Sequence, residues 1–344
     1  MLDDRCEPQW VDAFTRVFEL CKCTPGESAV LLSESQSRPL NVELARLALA
    51  RLGLDACQVV VPTPRQKAPV PVRSTGASQA LHAQDAALAA LKAARFVVDL
   101  TVEGLLHAPQ LPEILGAGTR VLMVSNEHPE ALERLVPAPA DEQVVKAAIK
   151  RCKAAETMRV TSAAGTDLTV DLRDARVGGV WGWADRPGMV AHWPGGIVVN
   201  FPRPHAVNGR LVLDAGDVNL TFKRYLESPV TLTIEDDYVT AIEGRGTDAE
   251  LMRRYFAAWG DRDAYGVSHV GWGLNPRARY EALAMYDKCD TNCTELRAFA
   301  GNFLYSTGAN EFAKRYTEGH FDLPLRGCTV ALDGETVVEE GRLK

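Results

Sequence analysis

At 344 residues, with a composition ordinary for a globular chain, the protein is long enough to bury two cores. A formal net charge of −7 and the lack of any long Lys/Arg run argue against a nucleic-acid partner. The opening MLDDRCEPQW is neither a secretory signal nor a transit peptide, and no apolar run approaches membrane-spanning length, so no membrane partner and a cytoplasmic location are expected.

In chain order, SAVLLSES reads as a buried strand, PLNVELARLALARLG as an amphipathic helix ending at Gly53, and ACQVVVP as the next strand. A Pro-rich segment from Thr63 to Gly76, expected to be mobile, interrupts the pattern. It resumes with helix QDAALAALKAAR, strand FVVDLTV, a short helix near PEILGAG and strand RVLMVS. Alternating strands and helices predict a parallel sheet covered by helices, and thus an α/β N-terminal domain over residues 1–138. GAGTR precedes a strand instead of following one, so a dinucleotide fingerprint is missing.

VPAPADEQ marks the expected boundary. Beyond it the charged helix DEQVVKAAIKRCKAAE leads to short alternating strands (MRVTSAAGTDLTVDL, GRLVLDAGDVNL, VTLTIEDDYVTAIEG) separated by Gly/Asp turns. Helix TDAELMRRYFAAWG, a helical stretch after Pro276, and a hairpin turning at Asp333-Gly334 complete an α+β C-terminal domain of mainly antiparallel strands, residues 139–344.

Eight cysteines are scattered through a chain with no export signal, and free thiols are expected. Cys289 and Cys293 lie at the spacing of a helical turn, and the absence of a second Cys/His pair at finger spacing favours core packing over a metal site.

Seven histidines occur, and their context sorts them. His320 and Asp322, in EGHFDLPLRG, are two apart at the mouth of an apolar strand, so both side chains share one face and Phe321 turns to the other. His269, in the glycine-crowded YGVSHVGWGLNP, would complete two imidazoles and one carboxylate, a set that leaves positions open on Fe(II). A hydrogen-bonded strand-end pair, with His269 capping a turn, accounts for the same spacing. His192 in MVAHWPGG neighbours Trp181, Trp183 and Trp193, three tryptophans within thirteen residues, which form either an aromatic wall for a flat ring or a loop packed on the core. His107 follows a parallel strand, where open α/β sheets place ligand groups, and its ordinary pKa suits a general base. No G-x-S-x-G, H-E-x-x-H or P-loop motif is present.

YGVSHVGWGLNPRARY, RAFAGNFLYSTG, HFDLPLRGC, HWPGG and LVLDAGD together resemble the 2,5-dihydroxypyridine 5,6-dioxygenases of bacterial nicotinate and picolinate degradation, collinearly from about Ala29 to Val338. The resemblance implies a mononuclear Fe(II) enzyme with His269, His320 and Asp322 as ligands, opening a small aromatic N-heterocycle with dioxygen to give N-formylmaleamate. It implies His107 as catalytic base, His192 as a group that hydrogen-bonds substrate or oxygen, and a homo-oligomer; Trp181, Trp183, Trp193 and Trp272 are, from their own context, the expected substrate-binding aromatics. Peptidases of the thermophilic aminopeptidase group share the architecture and a similar H-x-D, and a metal-dependent hydrolase is the alternative. They carry further ligands where this chain has His269 and Leu304. In the dioxygenases a glutamate stands ahead of the G-aromatic-A-D string; here Val180 stands before WGWAD and cannot accept a hydrogen bond.

Overall fold

A computed structural model describes residues 5–65 and 78–344; most of the segment read above as mobile falls outside the described residues. The chain runs α1 (Pro8–Leu20), β1 (Ser28–Glu34), α2 (Pro39–Arg51), β2 (Asp55–Val61), α3 (Asp85–Ala93), β3 (Phe96–Asp99), α4 (Leu111–Gly116), β4 (Arg120–Val124), α5 (Pro129–Arg134) and α6 (Pro139–Ala154). It continues through β5 (Thr157–Ser162), β6 (Asp167–Asp171), β7 (Arg176–Val180), β8 (Val190–Trp193), β9 (Ile197–Phe201), β10 (Val207–Leu213), β11 (Val218–Asn219), β12 (Arg224–Tyr225), β13 (Val230–Glu235) and β14 (Tyr238–Glu243). Then follow α7 (Thr247–Trp259), β15 (Val267–Gly273), α8 (Ala282–Met285), α9 (Thr294–Ala298), β16 (Phe303–Asn310), β17 (Arg315–Leu325), β18 (Cys328–Leu332), β19 (Glu335–Glu339) and β20 (Arg342–Leu343).

The first region is a parallel sheet in the order β2-β1-β3-β4-β8, flanked by helices. β3 and β4 are buried along their whole length, which is why they read as unbroken apolar runs. The fifth strand, β8, arrives from beyond residue 138 and pairs Met123 with His192 and Val124 with Trp193. This stretch is a strand, where its glycines and tryptophans alone predict an aromatic wall or a packed loop. Four residues between glycines and a proline are too few to declare a strand, and the sheet edge at β4 supplies the pairing.

The second region is antiparallel. One sheet has the order β14-β13-β10-β6-β5-β18-β19-β20, and another has the order β17-β16-β15-β9-β7. Gly260 ends α7 at φ 60°, the left-handed cap glycine adopts without strain. The helical stretch expected after Pro276 shrinks to the short α8 and α9. The glycines of YGVSHVGWG answer to backbone: a Cβ on Gly271 would lie 1.9 Å from Val198 O, and one on Gly273 would lie 2.1 Å from Phe299 O. One apolar core joins the regions, since Phe14, Phe96 and Trp193 belong to the same buried cluster as Met158, Leu168 and Phe321.

Candidate metal centre and substrate cavity

The five-stranded antiparallel sheet aligns the candidate ligands. Register pairs His269 with Ser306, Ser306 with Asp322, and Gly308 with His320, which brings the three sequence-predicted groups to one face. Each offers one ligand atom, all within 4.8 Å of one another, and all three residues are buried. Phe321, one step out of phase, turns away and packs on Tyr255 of α7 at 4.5 Å between ring centroids.

The donors are oriented by their neighbours. The Ser268 hydroxyl donates to Ala309 O (2.6 Å), so its oxygen is left to accept from His269 Nδ1 at 3.1 Å. That fixes the proton on Nδ1 and leaves the Nε2 lone pair toward Asp322. Asp322 Oδ1 lies 3.2 Å from His320 Nε2 and 3.7 Å from His269 Nε2, while Oδ2 accepts from Arg297 Nε at 2.5 Å and the Ser306 hydroxyl donates to Oδ1. Tyr255 donates its hydroxyl proton to His320 O (2.6 Å), tying α7 to the ligand strand.

Burial pushes the His269 imidazole down to about 4, against the pull of Asp322, so it is neutral and able to ligate. Burial raises the Asp322 carboxyl, but His320, Arg297 and His269 outweigh it and hold the group well below the ordinary carboxylate range. The donor set fits a metal. Two imidazoles and one carboxylate with their ligand atoms within 4.8 Å of one another are a donor set that a divalent transition metal takes.

A cavity of about 920 Å³ opens on this face. His107 lines it from the loop after β3, its ring 4.8 Å from His320 and 6.3 Å from His269. That loop is pinned by the buried Asp99 carboxylate, which accepts from Thr101 N, the Thr101 hydroxyl and Leu105 N. Desolvation, with His320 and His269 adjacent, holds the His107 imidazole well below its ordinary value. His192 also lines the cavity and is pushed down to about 4 by burial. Its Nδ1 lies 2.6 Å from Pro194 O, which can only accept, so Nδ1 carries the proton and Nε2 is an acceptor.

None of the four tryptophans lines the cavity, and all belong to the buried core. Trp193 and Trp272 stand out of phase with His192 and His269 on their strands, so they face the opposite side, and Trp193 Nε1 donates to Leu135 O. Trp181 and Trp183 pack edge to face on one another, with centroids 6.2 Å apart. Val180 does line the cavity. Arg297, Ser268 and Ser306 were not singled out in the sequence; Arg297 in ELRAFA carries no motif, and only the neighbour of His269 was legible as a hydroxyl. Cys289 and Cys293 are free, one exposed and one buried.

Fold and site together define an enzyme with a candidate mononuclear metal centre facing an apolar cavity. The family model for 2,5-dihydroxypyridine 5,6-dioxygenase matches residues 9–344. A 2,5-dihydroxypyridine 5,6-dioxygenase of Pseudomonas putida is 38% identical over 337 residues, covering 97% of this chain and 95% of that protein. The solved structure of the 2,5-dihydroxypyridine dioxygenase from Pseudomonas putida KT2440 is similar with a TM-score of 0.91 at 37% identity, covering 97% of this chain and 96% of that one. AmpT from Thermus thermophilus shares the fold alone, with a TM-score of 0.64 at 14% identity over 97% of this chain and 98% of that one. The chain belongs to the 2,5-dihydroxypyridine 5,6-dioxygenase family and is a dioxygenase. Membership implies a metal cofactor, a small aromatic substrate and dioxygen. Among the described residues no helix is long and apolar enough to cross a membrane.

Proposed function

We propose that this chain is a mononuclear Fe(II) dioxygenase that opens 2,5-dihydroxypyridine between C5 and C6, inserting both oxygen atoms to give N-formylmaleamate. The observation that carries this reading is the buried face of His269, His320 and Asp322, with ligand atoms within 4.8 Å of one another and the cavity in front of them. Two imidazoles and one carboxylate on one face suit ferrous iron and leave positions free. Iron held there supplies the activation of dioxygen that organic side chains cannot provide.

The protein's own groups do the rest. The neutral His107 imidazole, beside His320, accepts the proton of a ring hydroxyl and raises the electron density of the ring. His192 Nε2 accepts a hydrogen bond from the ring N–H or the second hydroxyl and so orients the heterocycle. Arg297 holds Asp322 Oδ2 and leaves Oδ1 toward the two imidazoles. The apolar wall around Val180, Val199 and Leu304 excludes water from the deprotonated ring. In the balanced reaction the C5–C6 bond breaks, C5 becomes a carboxyl, C6 a formyl group, and no further reductant is consumed.

We further read the protein as cytoplasmic, supported by eight free cysteines, and as a homo-oligomer, supported by family likeness alone. Anaerobic reconstitution with Fe(II), followed by an oxygen-electrode trace on adding 2,5-dihydroxypyridine, tests the reaction. One oxygen consumed per ring and one iron per chain are expected. Turnover without oxygen uptake would refute the reading.

A further inference from the structure

The ring placed at the metal face by the proposed function is small against the space around it. A benzene-sized ring fills a cavity of ~150 Å³, whereas this one measures about 920 Å³. The cavity reaches over β7 and β9, whose Gly178, Val180, Ile197 and Val199 line it. Beside the row of His269, Ser306 and Asp322, the next row on the same face is Leu304, Gly271, Val199 and Gly178, and beyond it stand Ile197 and Val180. Side chains there are hydrogen or short hydrocarbon, so the floor falls into a trough over β9 and β7. A Cβ built on Gly178 would meet only Val199 Cγ2, at 3.8 Å, and its backbone is not in the left-handed region. The missing side chain is therefore open volume and answers to no backbone demand.

The trough is also without charge. Every lining residue from β7 and β9 is apolar, and the polar lining groups come from other elements. Arg297 is the one Lys or Arg among the described lining residues; its Nε donates to Asp322 Oδ2 and its Nη1, at 3.1 Å, to Asn292 O, and it stands on α9, away from β7 and β9. A carboxylate seated over Val199 would lose its water with no counter-charge, while a hydrocarbon would gain from the same burial.

We propose that this trough is a second subsite that receives a hydrocarbon substituent on the ring, so that the substrate class is 2,5-dihydroxypyridines alkylated at C3 or C4, the carbons that ring opening leaves intact. The proposal rests on the function given above and deepens it.

The test is anaerobic calorimetric titration of the Fe(II)-loaded protein with 2,5-dihydroxypyridine, its methyl, ethyl and propyl derivatives at C3 and at C4, and the corresponding carboxylic acids, with oxygen uptake measured in parallel. Kd is expected to fall by up to about fourfold per added carbon in at least one alkyl series. The acids bind more weakly than the parent. Gly178→Leu brings the propyl-to-parent affinity ratio to about one, with Gly178→Ala between, and Val180→Phe reads the same trough should Gly178→Leu fail to fold. Affinities flat along both alkyl series, or a gain that survives filling the trough, would overturn the subsite. Absence of oxygen uptake with every pyridine would instead overturn the reaction, and the affinity series would still decide the subsite.

Discussion

Single side chains decide the chemistry, and three of them yield separable outcomes. Replacing His107 by Asn removes the base without touching the ligand set; kcat is expected to fall by ~10²–10⁴ with one iron per chain retained, and loss of iron would count against the role. Ser268→Ala removes the acceptor that holds His269 in its tautomer. Metal affinity should drop by ~10–100-fold in competition with a chelator, and an unchanged affinity would remove Ser268 from the site. Glu34, 5% exposed at the end of β1, is raised to about 7, chiefly by burial, with hydrogen bonds from Thr63 and Val102 opposing the shift and Asp99 and Glu103 adding repulsion. Because the folded state holds this proton more tightly than the unfolded chain, its contribution is complete below the ordinary value of 4.5 and is lost as pH rises through about 7. Glu34→Gln should therefore stabilise the fold more at pH 8 than at pH 4, by up to about 3 kcal/mol in unfolding free energy from denaturant titration; equal effects at both would refute the cause.

Elements place those side chains through a few buried struts. Glu127, just after β4, accepts from the Thr291 hydroxyl (2.6 Å), Asn292 N (3.0 Å) and Thr294 N (2.8 Å), so the parallel-sheet region holds the loop that starts α9 and aims Arg297. Glu127→Ala strands buried donors and should cost about 3 kcal/mol, seen in thermal unfolding together with a raised KM. An unchanged Tm would show that water replaces the strut. The strands that carry ligands were only partly legible. The two-residue alternation of His320, Phe321 and Asp322 is a local rule, and β17 obeys it. β7, β8, β9 and β15 were missed because glycine and proline punctuate them, and their pairing comes from neighbours distant in the chain.

Across the whole molecule, the change of architecture near residue 139 is a change of strand pairing within a shared core. β8 returns to the parallel sheet, and one buried cluster reaches from Ala13 to Val338. We propose that 1–138 and 139–344 remain distinct units of architecture but melt together. Calorimetry should give a single transition, and two separated transitions would show that the cores are independent.

By itself the amino-acid order determined the parallel and antiparallel halves, the shared face of His320 and Asp322, and the motifs that tie the chain to its family, because each depends on residues near one another in sequence. Only the tertiary structure decided that His269 and His107 meet that pair, that the tryptophans turn into the core, and that Ser268, Ser306 and Arg297 serve the candidate ligands. Those outcomes depend on strand register and loop closure between distant segments, which no local spacing encodes.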